Sequence, residues 1–292
     1  IYNYARTQKQ IVQDMLGGHP AVTADGGSTK GGGSRPAAPV GYWKFDEGQG
    51  ITANNAGSGG SALNGTLTGM SSPATATSGW TNSGKFGKGL VFDGSNDYVV
   101  SANNIGISGA TARTMAVWVN IGTGTSGDGL LGWGESATGK VSSILISANI
   151  PMFGGYSADL SSNTLINDSQ WHFVAFTYDG LIGRIYVDGV EKNSGNLTLN
   201  TTNGLLYFGE RWSGDQRLTG SIDEVKIYNY ALSADEVKVE YNQGAALKLG
   251  ALSTTSSGTA AAFDAARSYC PPGNIEGNCA AGLNPAPVGE WN

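Results

Sequence analysis

Between residues 39 and 246, apolar side chains recur either at every second position or in short continuous runs, with Gly, Asn, Asp and Ser between them. This pattern predicts strands at Gly41–Phe45, Lys88–Asp93, Asp97–Val100, Thr114–Val119 and Gly129–Trp133. It predicts further strands at Ser142–Ser147, Trp171–Tyr178, Gly183–Val187, Leu205–Phe208 and Ser221–Tyr228. In the first of them Tyr42, Lys44 and Asp46 fall on one face and Trp43 and Phe45 on the other, so one face is apolar and the other polar. Trp43, Trp118 and Trp171 read as core, because large aromatics at alternating strand positions supply most of a sandwich's buried area. Asp188-Gly189, between Ile185-Tyr-Val187 and Val190, is a two-residue hairpin signal, since such turns need positive φ. Many short strands with one helical segment predict an all-β, two-sheet antiparallel sandwich rather than alternating strands and helices.

The helical segment begins at Ser233-Ala-Asp-Glu236, a capping-box pattern, followed by Val237, Val239 and Tyr241. The same device occurs at Thr7–Gln10 ahead of Ile11, Val12, Met15 and Leu16. Each follows a copy of one pentapeptide, Ile1-Tyr2-Asn3-Tyr4-Ala5 and Ile227-Tyr228-Asn229-Tyr230-Ala231. A second echo links Pro39-Val40-Gly41-Tyr42-Trp43 with Pro287-Val288-Gly289-Glu290-Trp291. A unit opening on PVGxW and closing on IYNYA is therefore complete once, with a closing piece before it and an opening piece after it, as in a tandem array. The expected organisation is 1–18, the last strand and helix of a preceding unit; 19–38, a flexible Gly-rich linker; and 39–246, the complete domain. Residues 247–286 form a second linker and 287–292 the first strand of a following unit.

Composition narrows the function classes. With 46 Gly, 14% charged residues and a net charge of −6, the 292-residue chain is turn-rich and unsuited to nucleic acid. It has no run of ~20 apolar residues for membrane insertion, and no signal-peptide succession at its start, so a leader is expected upstream of Ile1 if the protein is secreted. The two cysteines, Cys270 and Cys279, lie in a Pro-, Gly- and Ala-rich stretch without a nearby His, which suits a small disulfide loop, with two free thiols as the alternative. Neither His19 nor His172 has a second His or a carboxylate at metal-ligand spacing, and both read as structural.

Several motifs, taken together and in order, carry a family resemblance. Gly41-Tyr-Trp-Lys-Phe-Asp-Glu-Gly48, Lys85-Phe-Gly-Lys-Gly-Leu-Val-Phe-Asp-Gly94 with Asp97-Tyr-Val99, Trp171-His-Phe-Val-Ala175, Ile185-Tyr-Val-Asp-Gly189 and Gly220-Ser-Ile-Asp-Glu-Val-Lys-Ile-Tyr228 resemble the laminin G-like jelly roll of the concanavalin A-like lectin and glucanase superfamily. The resemblance covers nearly all of 39–246 and implies first and last strands lying side by side. It also implies calcium in loops near the sheet edge, which points to Asn54, Asn55 and Asp223 as candidate Ca2+ ligands, although Asn stands where relatives have acidic residues. One fold carries unrelated activities, so the site must decide function.

Catalysis is not expected. A retaining glycosidase needs two carboxylates ~5 Å apart, and Asp223 and Glu224, adjacent on a strand, should point to opposite faces. Asp93 and Asp97 read as an Asx-rich hairpin, and Asp46 and Glu47 as loop caps. For glycans, Trp133, Tyr156, Arg211 and Trp212 lie in loop-like segments, and Gly209–Gln216 combines an aromatic with both charges. Two readings follow. One is a non-enzymatic structural or adhesive repeat module of a large extracellular or cell-surface protein, whose terminal strands (Ile1, Tyr2, Asn3 and Tyr4; Val288 and Trp291) would pair with neighbouring laminin G-like units or, as a filament, with identical subunits. The other is a carbohydrate-binding module, with or without assistance from calcium.

Overall fold

The computed structural model describes residues 38–122, 128–211, 214, 216 and 217–242. The terminal segments, with the disulfide candidates Cys270 and Cys279 and the inter-unit strands at Ile1–Tyr4 and Val288–Trp291, lie outside the described residues, as does Trp212.

The strands are β1 (Gly41–Trp43), β2 (Thr52–Ala53), β3 (Gly65–Thr68), β4 (Gly79–Thr81), β5 (Gly89–Asp93), β6 (Tyr98–Asn104), β7 (Arg113–Asn120) and β8 (Asp128–Gly134). They continue as β9 (Val141–Ser147), β10 (Ile150–Gly154), β11 (Leu160–Ser161), β12 (Trp171–Tyr178), β13 (Ile182–Val187), β14 (Val190–Asn196), β15 (Leu205–Phe208) and β16 (Thr219–Tyr228), followed by helix α1 (Ala234–Tyr241). They form two eight-stranded antiparallel sheets, the fold class expected from the apolar pattern. The first runs β14-β13-β12-β7-β16-β5-β4, with β1 also on β16; the second runs β11-β10-β9-β8-β15-β6-β3-β2. The expected pairing of PVGYW with the last strand is present, Gly41 opposite Ile227 and Trp43 opposite Val225.

The core lies between the sheets because each strand alternates. Trp43 and Phe45 from the first sheet reach Phe208 of the second, with ring centroids 4.8 and 5.9 Å apart. Phe153 of β10 stacks on Phe176 of β12 at 3.7 Å. A second, smaller apolar cluster covers the outer face of the first sheet: Ala116, Trp118, Phe173, Ala175, Tyr186 and Tyr228, closed by Leu232 and Val237. Trp171 packs against this cluster without being fully buried, whereas Trp43 and Trp118 are buried.

Helix α1 starts where the sequence places it. The Ser233 hydroxyl accepts the Glu236 N–H and the Glu236 carboxylate accepts the Ser233 N–H at 2.7 Å, the reciprocal capping box. Its far end is fixed to the sheet by Glu240, which pairs with Lys226 Nζ at 2.8 Å and accepts the Tyr228 hydroxyl at 2.7 Å. The Asp188-Gly189 turn joins β13 to β14, with φ of 53° and 74° at the two positions.

Candidate functional site

The second sheet carries an open pocket of about 340 Å3 on its outer face, toward the β10 side. Its floor follows from strand alternation. In β9, Ile144 and Ile146 enter the core, so Leu145 and Ser147 face outward; in β10, Phe153 enters the core and Met152 and Gly154 face outward. Met152 sits opposite Leu145, joining these residues into one apolar patch.

Two loops wall the pocket. The turn after β10 brings Tyr156, Ser157 and Asp159, and the loop after β15 brings Arg211 and Gln216. Both are held by backbone hydrogen bonds. Gly155 N–H donates to Asp159 Oδ1 at 2.9 Å, and Gly139 N–H donates to the carbonyls of Gly155 and Tyr156 at 2.9 and 3.3 Å. The β15 loop lies on β8: Gly129 N–H donates to Gln216 O at 2.9 Å, and a Cβ at Gly129 would run into the Glu210–Arg211 backbone. Within the loop, Arg211 Nη1 donates to Gln216 Oε1.

Three non-glycine residues lining the pocket adopt left-handed backbone, Tyr156 (φ 55°), Ser157 (φ 70°) and Gln216 (φ 52°). Such conformations cost about 1–3 kcal/mol each and concentrate at ligand sites. Tyr156 is 43% exposed, an unusual position for a ring of that size in this domain. An aromatic ring, an apolar floor, a guanidinium, a carboxylate and an amide thus converge on one concavity, a set suited to stacking on a ring and fixing its hydroxyls.

Two of the residues singled out from sequence, Tyr156 and Arg211, are brought together here, and a third is not. Trp133 is fully buried between the sheets and donates its Nε1–H to Ile107 O at 2.9 Å. It lies in β8, not in a loop, and β8 contains a register irregularity between Gly129 and Leu131 that resets which residues face inward. The outward residues of β9 and β10 escaped the sequence reading, although Leu145 and Ser147 carry a signal: they alternate against the apolar Ile144 and Ile146.

Each metal candidate already has hydrogen-bond partners of its own. Asn55 Oδ1 accepts the N–H groups of Tyr42 and Gly57 at 2.7 and 2.9 Å, and its Nδ2 donates to the carbonyls of Val40 and Gly60. Asn54 is tied to Glu47, whose Oε1 accepts from its backbone and side-chain nitrogens. Asp223 is fully buried and accepts the N–H groups of Phe86 and Glu224 at 2.9 and 2.7 Å. The three side chains thus serve separate local anchors, and among the described residues no group of three or more His, Cys, Asp or Glu side chains could hold a metal ion.

The remaining acidic residues mostly take the turn roles expected of them. Asp93 Oδ1 accepts Ser95 N–H and Asp97 Oδ2 accepts Asp93 N–H, while Asp46 Oδ1 accepts Lys88 N–H. Two details differ from the sequence reading. His172, read as structural for want of a second His or a carboxylate at metal-ligand spacing, has a carboxylate on each ring nitrogen: Nδ1 lies 2.8 Å from Asp188 Oδ2 and Nε2 3.0 Å from Asp168 Oδ1. Asp168, four residues earlier, was the available signal. Asp223 and Glu224 also share a face, because the ladder of β16 slips between Asp223 and Lys226.

A two-sheet antiparallel β-sandwich with first and last strands paired defines a lectin-like jelly roll. The chain belongs to the concanavalin A-like lectin/glucanases superfamily, whose laminin G-type family model matches residues 93–238. Among solved structures, it is similar to domain 4 of AbnA, a GH43 extracellular arabinanase from Geobacillus stearothermophilus in complex with arabinotriose: 23% identity, TM-score 0.53, covering 70% of this chain and 98% of that domain. It is also similar to the binding domain of Paraclostridial Mosquitocidal Protein 1, at 14% identity and TM-score 0.54, covering 70% of this chain and 52% of that one. The botulinum neurotoxin serotype G binding domain aligns at 13% identity and TM-score 0.50, the match spanning 50% of its length. At these identities the likeness is one of fold. No curated protein sequence matches the chain. Among the described residues no helix is long and apolar enough to cross a membrane.

Proposed function

We propose that the domain is a non-catalytic carbohydrate-binding module of an extracellular protein, and that it holds its glycan in the Tyr156–Arg211 pocket. The observation that carries this reading is the convergence of an exposed tyrosine, an apolar floor and three polar side chains (Asp159, Arg211 and Gln216) in one concavity braced by strained backbone. The fold is shared with a domain crystallised with arabinotriose, which adds support. A binding role without catalysis fits the described lining, where Asp159 is the one carboxylate among the described residues and a glycosidase needs two.

A glycan array probed with the intact protein tests this reading. Binding to a defined set of glycans, abolished by Tyr156→Ala while the melting temperature is unchanged, is the expected result; no binding across the array counts against it.

A second reading rests on a different observation. The strands that pair here, β1 and the end of β16, are the ones whose sequences recur at Pro287–Trp291 and Ile1–Ala5. Those copies are consistent with adjoining laminin G-like units, so the module would be one link of a repeat array. The array would place a glycan site at regular intervals along a surface protein, and the two readings are compatible.

A further inference from the structure

A second concavity, of about 210 Å3, lies where the loop after β1 meets the segment between β3 and β4. It is lined by Gly48–Ile51, Leu67, Met70–Ala74 and Trp80, none of which appears in the first pocket. We propose that it is a second, independent saccharide site, selective for an uncharged sugar ring.

The lining contains no charged side chain. The nearest cation, the Lys88 ammonium packed against Gly48, donates to Glu47 O at 3.5 Å, so a carboxylate- or sulfate-bearing ligand would lose its hydration and have to compete for it, which favours neutral sugars. Its polar side chains are neutral: the Gln49 amide and the hydroxyls of Ser71 and Ser72, which suit sugar hydroxyls. Trp80 supplies the stacking surface. Its indole Nε1–H already donates to Gly50 O at 2.8 Å, so the ring offers its π system to a ligand instead of its donor.

The walls are fixed before any ligand arrives. Trp80 and Met70 pack on the inter-sheet core, and Leu67, 8% exposed, closes the floor. Leu67 N–H donates to Ile51 O at 2.8 Å and Ser71 N–H to Ser78 Oγ at 2.9 Å, holding both rims to the strands. At the mouth Ile51 is 61% exposed, which extends the apolar edge on which a second sugar residue could rest. Preformed walls reduce the ordering cost of a weak, shallow ligand.

The test is an NMR titration of the intact protein with neutral trisaccharides (arabinotriose, xylotriose, cellotriose and maltotriose) and with trigalacturonate, each at millimolar concentration. The expected result is that at least one neutral sugar shifts the Trp80 indole N–H and the Gln49 and Ser71 amides, that Tyr156→Ala leaves those shifts in place, and that trigalacturonate does not cause them. Trp80→Ala should weaken this binding by at least about tenfold. Since Trp80→Ala could loosen the Gly50 loop, Gln49→Ala, on the rim, serves as the second variant and should weaken binding without changing the melting temperature. Shifts confined to the Tyr156 pocket, no shifts with any neutral sugar, or equal shifts with trigalacturonate would each overturn the proposal. Loss of shifts at the first pocket alone, in Tyr156→Ala, separates failure of the two sites.

Discussion

Asp223 and Glu224 are consecutive in β16, yet both side chains lie on the outer face of the first sheet. Asp223 sits opposite Trp118, whose ring is on that face, and Glu224 Oε2 accepts the hydroxyl of Tyr42 at 2.5 Å from the neighbouring β1. The ladder slips between Asp223 and Lys226, and Glu224 has φ of 51°, so one extra residue is accommodated as a bulge and strict alternation fails there. Adjacent residues, expected to diverge along a strand, therefore share a face at this position. The pair is still poorly placed for glycoside chemistry, because Asp223 is buried with its carboxylate on two backbone N–H groups.

Burial pushes Asp223 up to about 7, with the Glu224 charge adding to the shift. An unfolded Asp titrates near ~3.9, so the native state holds its proton to higher pH. The associated stability is fully present below about pH 4 and is lost as pH rises through 7, at up to about 1.4 kcal/mol per pH unit. Asp223→Asn should flatten this decline, measured as the difference in melting temperature between variant and wild type from pH 4 to 8. Parallel pH profiles would contradict it.

His172 should show the same sign at higher pH. Burial alone would lower it, but hydrogen bonds to Asp188 and Asp168 outweigh burial and raise it above its ordinary value. Stability from the clamp is complete below about pH 6.5 and lost as pH rises through the raised value. Asp188 accepts with both oxygens, Phe173 N–H on Oδ1 at 3.0 Å and His172 on Oδ2, whereas Asp168 accepts Gln170 N–H and His172 on Oδ1 alone; an Asn keeps only one acceptor oxygen, so Asp188→Asn should cost about 1 kcal/mol more than Asp168→Asn at pH 6. Chemical denaturation of the two variants, with an NMR titration of the His172 ring, checks both statements.

Trp133 and Tyr156, both candidate sugar platforms in the sequence, differ in exposure and so should differ in role. Trp133→Ala opens a cavity in the inter-sheet core and should destabilise by roughly 3–5 kcal/mol. Tyr156→Ala, at a residue 43% exposed, should leave stability within about 1 kcal/mol and remove glycan affinity. Denaturant midpoints and binding isotherms for the two variants distinguish these outcomes.

Calcium should leave the melting temperature unchanged. The Asn55 amide is engaged at both ends and Asp223 is bonded to Phe86 and Glu224, so binding at these residues would require breaking existing hydrogen bonds. A rise in melting temperature on adding millimolar calcium would show that the loops rearrange around the ion.

What the sequence concealed is physically coherent. The strands it failed to predict are the edge strands β2, β4, β11 and β14, and β3 and β10, each next to an edge. An edge strand pairs on one side and often meets solvent on both faces, so it lacks the apolar run that marks a central strand; β14 reads Val-Glu-Lys-Asn-Ser-Gly-Asn. The central strands, the Asp188-Gly189 turn and the Ser233 capping box were legible because each is specified locally. Tyr156 and Arg211 were legible as exposed polar and aromatic loop residues, but that β10's turn and β15's loop meet over β9 depends on sheet order, which periodicity does not encode. Trp133 and Glu224 were misread at strand irregularities, where the period of two fails.

If the domain binds glycans as proposed, the glycan sits between Tyr156 and Arg211, and a crystal structure of the protein with the best array-identified glycan checks this. The expected result is a sugar ring on Tyr156 with hydroxyls held by Asp159, Arg211 or Gln216. A glycan bound with the Tyr156 pocket empty would contradict it.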